Sequence, residues 1–159
     1  MTDKPKVLFI CTGNSCRSQM AEAMLRDAAG DRFDACSAGS HPAGFVHELA
    51  IEALRRLHVD PGEPRSKSWD EFTDTPVDVV ITVCDQAAGE ACPTWPGKPI
   101  TAHWSMPDPT YHGGSEADRI AFALAVAKRL RDKIRAMAAL DWSADRDVVK
   151  RQLDALGEI

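Results

Sequence analysis

Short apolar runs alternating with amphipathic stripes constrain this chain more than any other feature. "KVLFI" (Lys6 to Ile10) and "DVVITV" (Asp78 to Val83) are almost continuous in Val, Leu, Ile and Phe, as strands covered on both faces must be. "FDACSA" (Phe33 to Ala38) and "PITAHW" (Pro99 to Trp104) read as two further strands. Helical spacing fills the intervals. Met20, Ala21, Met24, Leu25 and Ala28 line one side of a helix from Ser18 to about Ala29, with Ser18 suited to the N-cap and Gly30 to a C′ stop. Leu49, Ala50, Ala53, Leu54 and Leu57 do the same for His47 to His58, and "SWDEF" reads as a short helix. Ser115 and Asp118 resemble a capping box at the head of a long helix reaching about Leu140. Val148, Val149, Leu153 and Leu156 form a last stripe, expected to fold back on the chain's own core. Such alternation predicts a four-stranded parallel sheet with right-handed crossovers and helices on both faces, a three-layer αβα fold. Residues 1–159 are expected to form one domain, with 142–159 as a helical tail.

Charge and cysteine usage narrow the function classes. The formal net charge is −5, so no basic field points to nucleic acid or a membrane surface. An anionic substrate would need a local positive device. "MTDKPK" leads straight into the first strand without a signal-peptide core, which makes the cytoplasm the expected location. The five cysteines (Cys11, Cys16, Cys36, Cys84 and Cys92) are an odd number, which favours thiol chemistry or packing over a disulfide scaffold. None of the five histidines stands at ligand spacing from a thiol, so no metal site is expected. Cys36 reads as packing, and a monomer is the expected assembly.

The chemistry concentrates where the first strand meets the first helix. "VLFICTGNSCRSQMAEA" (residues 7–23) places Cys11 at the strand's carboxyl end, then a small polar loop, then the helix. In open α/β sheets this is where ligands bind. A loop of Thr12, Gly13, Asn14, Ser15, Cys16 and Arg17 can turn its backbone N–H groups inward, reinforced by the helix N-terminus. Gly13 is suited to the positive φ of a tight cradle, and Asn14 tolerates it better than most residues. Arg17 offers a planar fork matched to a tetrahedral oxyanion. A thiol beneath such donors is expected to ionise near neutral pH. The junction therefore reads as a device that holds a tetrahedral anion over a nucleophile. The Cys16 thiol reads as a buried packing group.

"CTGNSCRS" together with "MPDPT" resembles the low-molecular-weight tyrosine phosphatase family. The longer N-terminal stretch, "SAG" (Ser37 to Gly39) and His103-Trp104 resemble its arsenate reductase branch. The resemblance implies that Cys11 is the nucleophile, that Arg17 clamps the oxyanion, that Ser18 hydrogen-bonds the thiolate and that Asp108 is the general acid. Asp108 is independently plausible in that role. The departing oxygen leaves more easily as water, and Pro107 and Pro109 narrow where the carboxyl can point.

Reducing pentavalent arsenic takes two electrons, which two thiols supply by joining. The resemblance implies the strand order 2-1-3-4; with strands one and three then adjacent, Cys11 and Cys84 are expected at neighbouring carboxyl ends, within reach of disulfide geometry. The expected relay runs from Cys11 attacking arsenate, through a Cys11–Cys84 disulfide, to a Cys84–Cys92 disulfide. No bound cofactor is expected. The resemblance implies thioredoxin as the external reductant, with glutaredoxin plus a low-molecular-weight thiol as the other possibility. Cys84 and Cys92 are separated by one residue more than thioredoxin-coupled members typically show. The alternative activity is aryl-phosphate hydrolysis through a Cys11 phospho-enzyme. Some relatives hold potassium beside the loop through an asparagine matching Asn14; here "PRSKSW" suggests that the Lys67 ammonium takes that place.

Overall fold

The computed structural model describes residues 4–84, 95 and 97–159. Its four-stranded parallel sheet has the order β2-β1-β3-β4, formed by β1 (Lys6–Cys11), β2 (Asp34–Gly39), β3 (Val79–Thr82) and β4 (Ile100–His103). β1 is central because it is apolar throughout: Val7 to Ile10 are fully buried, as a strand flanked by two others and covered on both faces requires. The order reverses between β1 and β3, so right-handed crossovers place helices on both faces of the sheet. The resulting architecture is the expected three-layer αβα.

α1 (Arg17–Ala29) packs on β1 and β2, and α2 (Glu48–Arg56) lies beside it. α3 (Glu116–Ala138) runs against both helices. The reciprocal capping box between Ser115 and Asp118 is present. α4 (Arg146–Leu156) folds back on β4, burying Val149 and Leu153, as the apolar stripe predicted. "SWDEF" forms a 3-10 turn at Trp69–Phe72, and a second such turn spans Pro109–Tyr111.

Two local expectations need correction. Ser18 is not an N-cap: the cap is Cys16, without a side-chain hydrogen bond, because the Ser18 hydroxyl is engaged elsewhere. Gly30 caps α1 with φ −63°, still right-handed, so its freedom to adopt positive φ is unused. Register fixes what matters for function. Cys11 pairs with Gly39, and Ile10 with Thr82, so the ends of β1, β2 and β3 open on one side. Among the described residues no helix is long and apolar enough to cross a membrane.

Candidate active site

The loop after β1 takes its shape from the layer behind it. The carbonyls of Thr12, Gly13 and Ser15 accept the N–H groups of His41, Ala43 and His47 at 2.9, 2.8 and 2.8 Å. Peptide units are planar and trans, so turning these oxygens outward turns the opposite N–H edges away from that layer. That arrangement, at the head of α1, makes an anion-binding concavity.

The left-handed residue in the cradle is Asn14, with φ 46°, and not Gly13. Asparagine visits that region at modest cost, and here its side chain is fully buried with both its oxygen and its nitrogen engaged. Its Oδ1 accepts from the Lys67 N–H (2.9 Å) and from Gln19 Nε2 (3.0 Å), while Nδ2 donates to Ser18 Oγ at 2.8 Å. Glycine is needed instead at position 39. A Cβ there would stand 2.5 Å from Thr12 O and 2.9 Å from Asn14 N. The "SAG" stretch thus lets β2 approach the back of the loop.

Ser18 Oγ lies 2.8 Å from Cys11 Sγ. Since Ser18 accepts from Asn14, its single proton is available to the sulfur. Across the cleft, Arg17 donates to Met106 O at 2.9 Å and pairs with Asp108 Oδ2 at 3.2 Å. The other Asp108 oxygen accepts from Thr110 N (2.9 Å) and Thr110 Oγ1 (2.7 Å). The carboxylate is therefore fixed by a guanidinium on one side and a 3-10 turn on the other.

Cys84, two residues beyond β3, lines the same cleft of about 530 Å³ as Cys11, Arg17 and Asp108. Its sulfur is 3.5 Å from Thr12 Oγ1. Cys11 and Cys84 are 3% and 2% exposed, so both thiols sit on the floor of the cleft. Cys16 is equally buried, and that burial, with the charges of Asp108 and Cys11 beside it, pushes its thiol well above the usual cysteine range. Burial likewise pushes the Cys36 thiol up to about 11, against the opposing influence of Lys6. Cys92 lies outside the described residues.

Behind the cradle, Lys67 is drawn inward. Its Nζ donates to Arg65 O (3.0 Å) and to Ser37 Oγ (3.5 Å), and lies 3.6 Å from Glu22 Oε1. Ser37 donates in turn to Glu22 at 2.9 Å. Gln19, Glu22, Gly39 and Met106 escape sequence reasoning because each has a partner tens of residues away, whereas Thr110 acts locally on Asp108, two residues before it. Only the small "SAG" run after a strand hints at a close approach.

Residues 6–140 match the family model for low molecular weight phosphotyrosine protein phosphatase. The chain is 36% identical to an arsenate reductase of Halalkalibacterium halodurans over 132 residues, covering 83% of this chain and 91% of that one. In structure it is similar to a thioredoxin-dependent arsenate reductase of Corynebacterium glutamicum, with a TM-score of 0.60, 32% identity and 81% of this chain covered; this chain spans 59% of that one. It is also similar to an arsenate reductase in the phosphate binding state, with a TM-score of 0.63, 30% identity, and 82% and 96% of the two chains covered.

Proposed function

This chain belongs to the low molecular weight phosphotyrosine protein phosphatase family, and from that premise we propose that it reduces arsenate to arsenite with thiols as the electron source. The observation that carries this reading is the second buried thiol, Cys84, in the cleft of Cys11. Hydrolysis of a phosphate ester needs one thiol; reduction of arsenic needs two.

Arsenate, in this reading, sits in the loop beside Arg17, which Met106 O and Asp108 hold in place. The Cys11 thiolate attacks arsenic, and one oxygen leaves as water with a proton supplied by Asp108. Cys84 then attacks the Cys11 sulfur. The sulfur–sulfur bond forms, the electron pair of the arsenic–sulfur bond stays on arsenic, and arsenite departs. Thr12 holds Cys84 against the loop, 3.5 Å from its hydroxyl. Cys92 next attacks Cys84, releasing Cys11 and leaving Cys84–Cys92 as the bond for an external reductant. Thioredoxin is the proposed reductant, supported by the thioredoxin-dependent relative; glutaredoxin with a low-molecular-weight thiol is the outcome to be tested against it.

An assay with arsenate, NADPH and a thioredoxin system tests the reading. Unaltered protein is expected to turn over, while Cys84→Ser stalls yet retains slow hydrolysis of p-nitrophenyl phosphate through the Cys11, Arg17 and Asp108 subset. Unaltered arsenate turnover in Cys84→Ser would exclude the relay, and ester hydrolysis without arsenate reduction would make the phosphatase reading correct.

Lys67 extends the proposal. Its ammonium, among Glu22, Ser37 and Arg65 O, supplies the positive charge that some relatives take from potassium, so turnover should be equal in potassium and sodium salts.

A further inference from the structure

The stretch from Trp104 to Asp108 carries both groups that hold Arg17, the Met106 carbonyl and the Asp108 carboxylate. It leaves β4, the edge strand, so only one neighbouring strand fixes its start: Trp104 N donates to Thr82 O at 2.8 Å. Trp104 also packs on Phe9, and further support comes from α4. The buried indole of Trp104 donates from Nε1 to Leu153 O at 2.9 Å. Gly157, capping α4, lies so close that a Cβ would stand 2.7 Å from His103 O and 3.4 Å from Trp104 Cδ1. Lys150 donates to Thr101 O at 2.6 Å, and Arg146 to Lys98 O. From the other side Lys133, fully buried on α3, donates to Leu156 O at 2.7 Å and pins the end of α4.

α4 lies beyond the residues 6–140 that match the family model. We infer that α4, through Trp104 and Gly157, positions the Met106–Asp108 segment against Arg17. The link is mechanical. A hydrogen bond at Trp104 and a backbone contact at His103 set the direction in which the chain leaves β4. Two residues later that chain meets the guanidinium. α4 touches neither the cleft nor its thiols, so it acts through Trp104 as a positioning element and not as a catalytic group.

The test uses the full chain with Gly157→Ala, a backbone-compatible change at φ −62° whose methyl wedges α4 off His103. Trp104→Phe, which keeps an aromatic ring near Phe9 and removes the donor, is the second variant. Arg151→Ala, exposed on α4, is the control. Two quantities are read: amide exchange at each segment, and protection of Cys11 from iodoacetamide by inorganic phosphate. Both variants are expected to speed exchange of the Trp104, Thr110 and Tyr111 amides, which bond to Thr82 O, Asp108 Oδ1 and Asp108 O, by about tenfold, with β1 and β3 unchanged. Phosphate protection should weaken by roughly fivefold as Arg17 loses its seat. The inference is overturned if exchange rises only in α4 and residues 100–103 with protection unaltered, or if it rises equally everywhere. The phosphate arm rests on the oxyanion-binding reading. Failure of phosphate to protect even the unaltered chain would reject that reading, while the exchange arm still decides the role of α4.

Discussion

Ser18 has one proton to give, and Asn14 Nδ2 occupies one of its lone pairs at 2.8 Å, so that proton faces Cys11 Sγ. A hydrogen bond to a charged acceptor contributes about 1.5–3 kcal/mol. Ser18→Ala is therefore expected to slow alkylation of Cys11 at mildly acidic pH by about tenfold or more; an unchanged rate would detach Ser18 from the thiol. The other thiols supply a contrast. Burial holds Cys16 far above the ordinary range and Cys36 at about 11, so both stay protonated through neutral pH and become reactive only as pH rises. Peptide mapping after brief iodoacetamide treatment should find Cys11 labelled ahead of either. Asp108→Asn keeps the contact with Thr110 but has no proton of the right kind to give, and kcat for arsenate is expected to fall by about 10²–10⁴. Cys11, Arg17 and Asp108 were legible as residues because each has a chemistry that its neighbours in sequence support. The choice between Gly13 and Asn14 for the left-handed position was not. It went to Asn14 and not Gly13, since Lys67, 53 residues away, binds the asparagine side chain and no local pattern records that.

Elements were legible where sequence periodicity was strong. The continuous apolar run of β1 and the Ser115–Asp118 capping box both appear as their residues predicted. Ser115→Ala should cost about 1 kcal/mol and lower the melting temperature by about 2–4 °C, without altering Cys11 reactivity. Misreadings arose at α1, where one residue had two possible partners. Ser18 is a good N-cap by type, but the thiol seven residues earlier competes for its hydroxyl and prevails. Gly39 carries the opposite lesson. Its meaning is the closeness of two elements, with an added methyl 2.5 Å from Thr12 O. Gly39→Ala should push the loop off β2 and weaken phosphate protection of Cys11, while the sheet, held by β1 and β3, persists in circular dichroism.

At the scale of the molecule, one geometric fact organises the chemistry: the strand order reverses between β1 and β3, and the two buried thiols stand beyond that reversal. The parallel sheet was readable from strand and helix alternation, and so was the shared cleft, because parallel strands put their carboxyl ends on one side; the strand order came with the family resemblance. The tie between Arg17 and the α4-supported segment was not readable, because it joins residues 89 and 91 positions apart. Lys67 gives the account a check outside the thiols, since steady-state rates in potassium and sodium salts should agree; a strong potassium requirement would remove its assigned role. The most direct test is a single turnover with arsenate and no reductant, followed by mass spectrometric mapping of disulfides. Cys84–Cys92 is expected in the unaltered chain and Cys11–Cys84 in Cys92→Ser. Arsenite formed with Cys84 still a free thiol in both proteins would contradict the account.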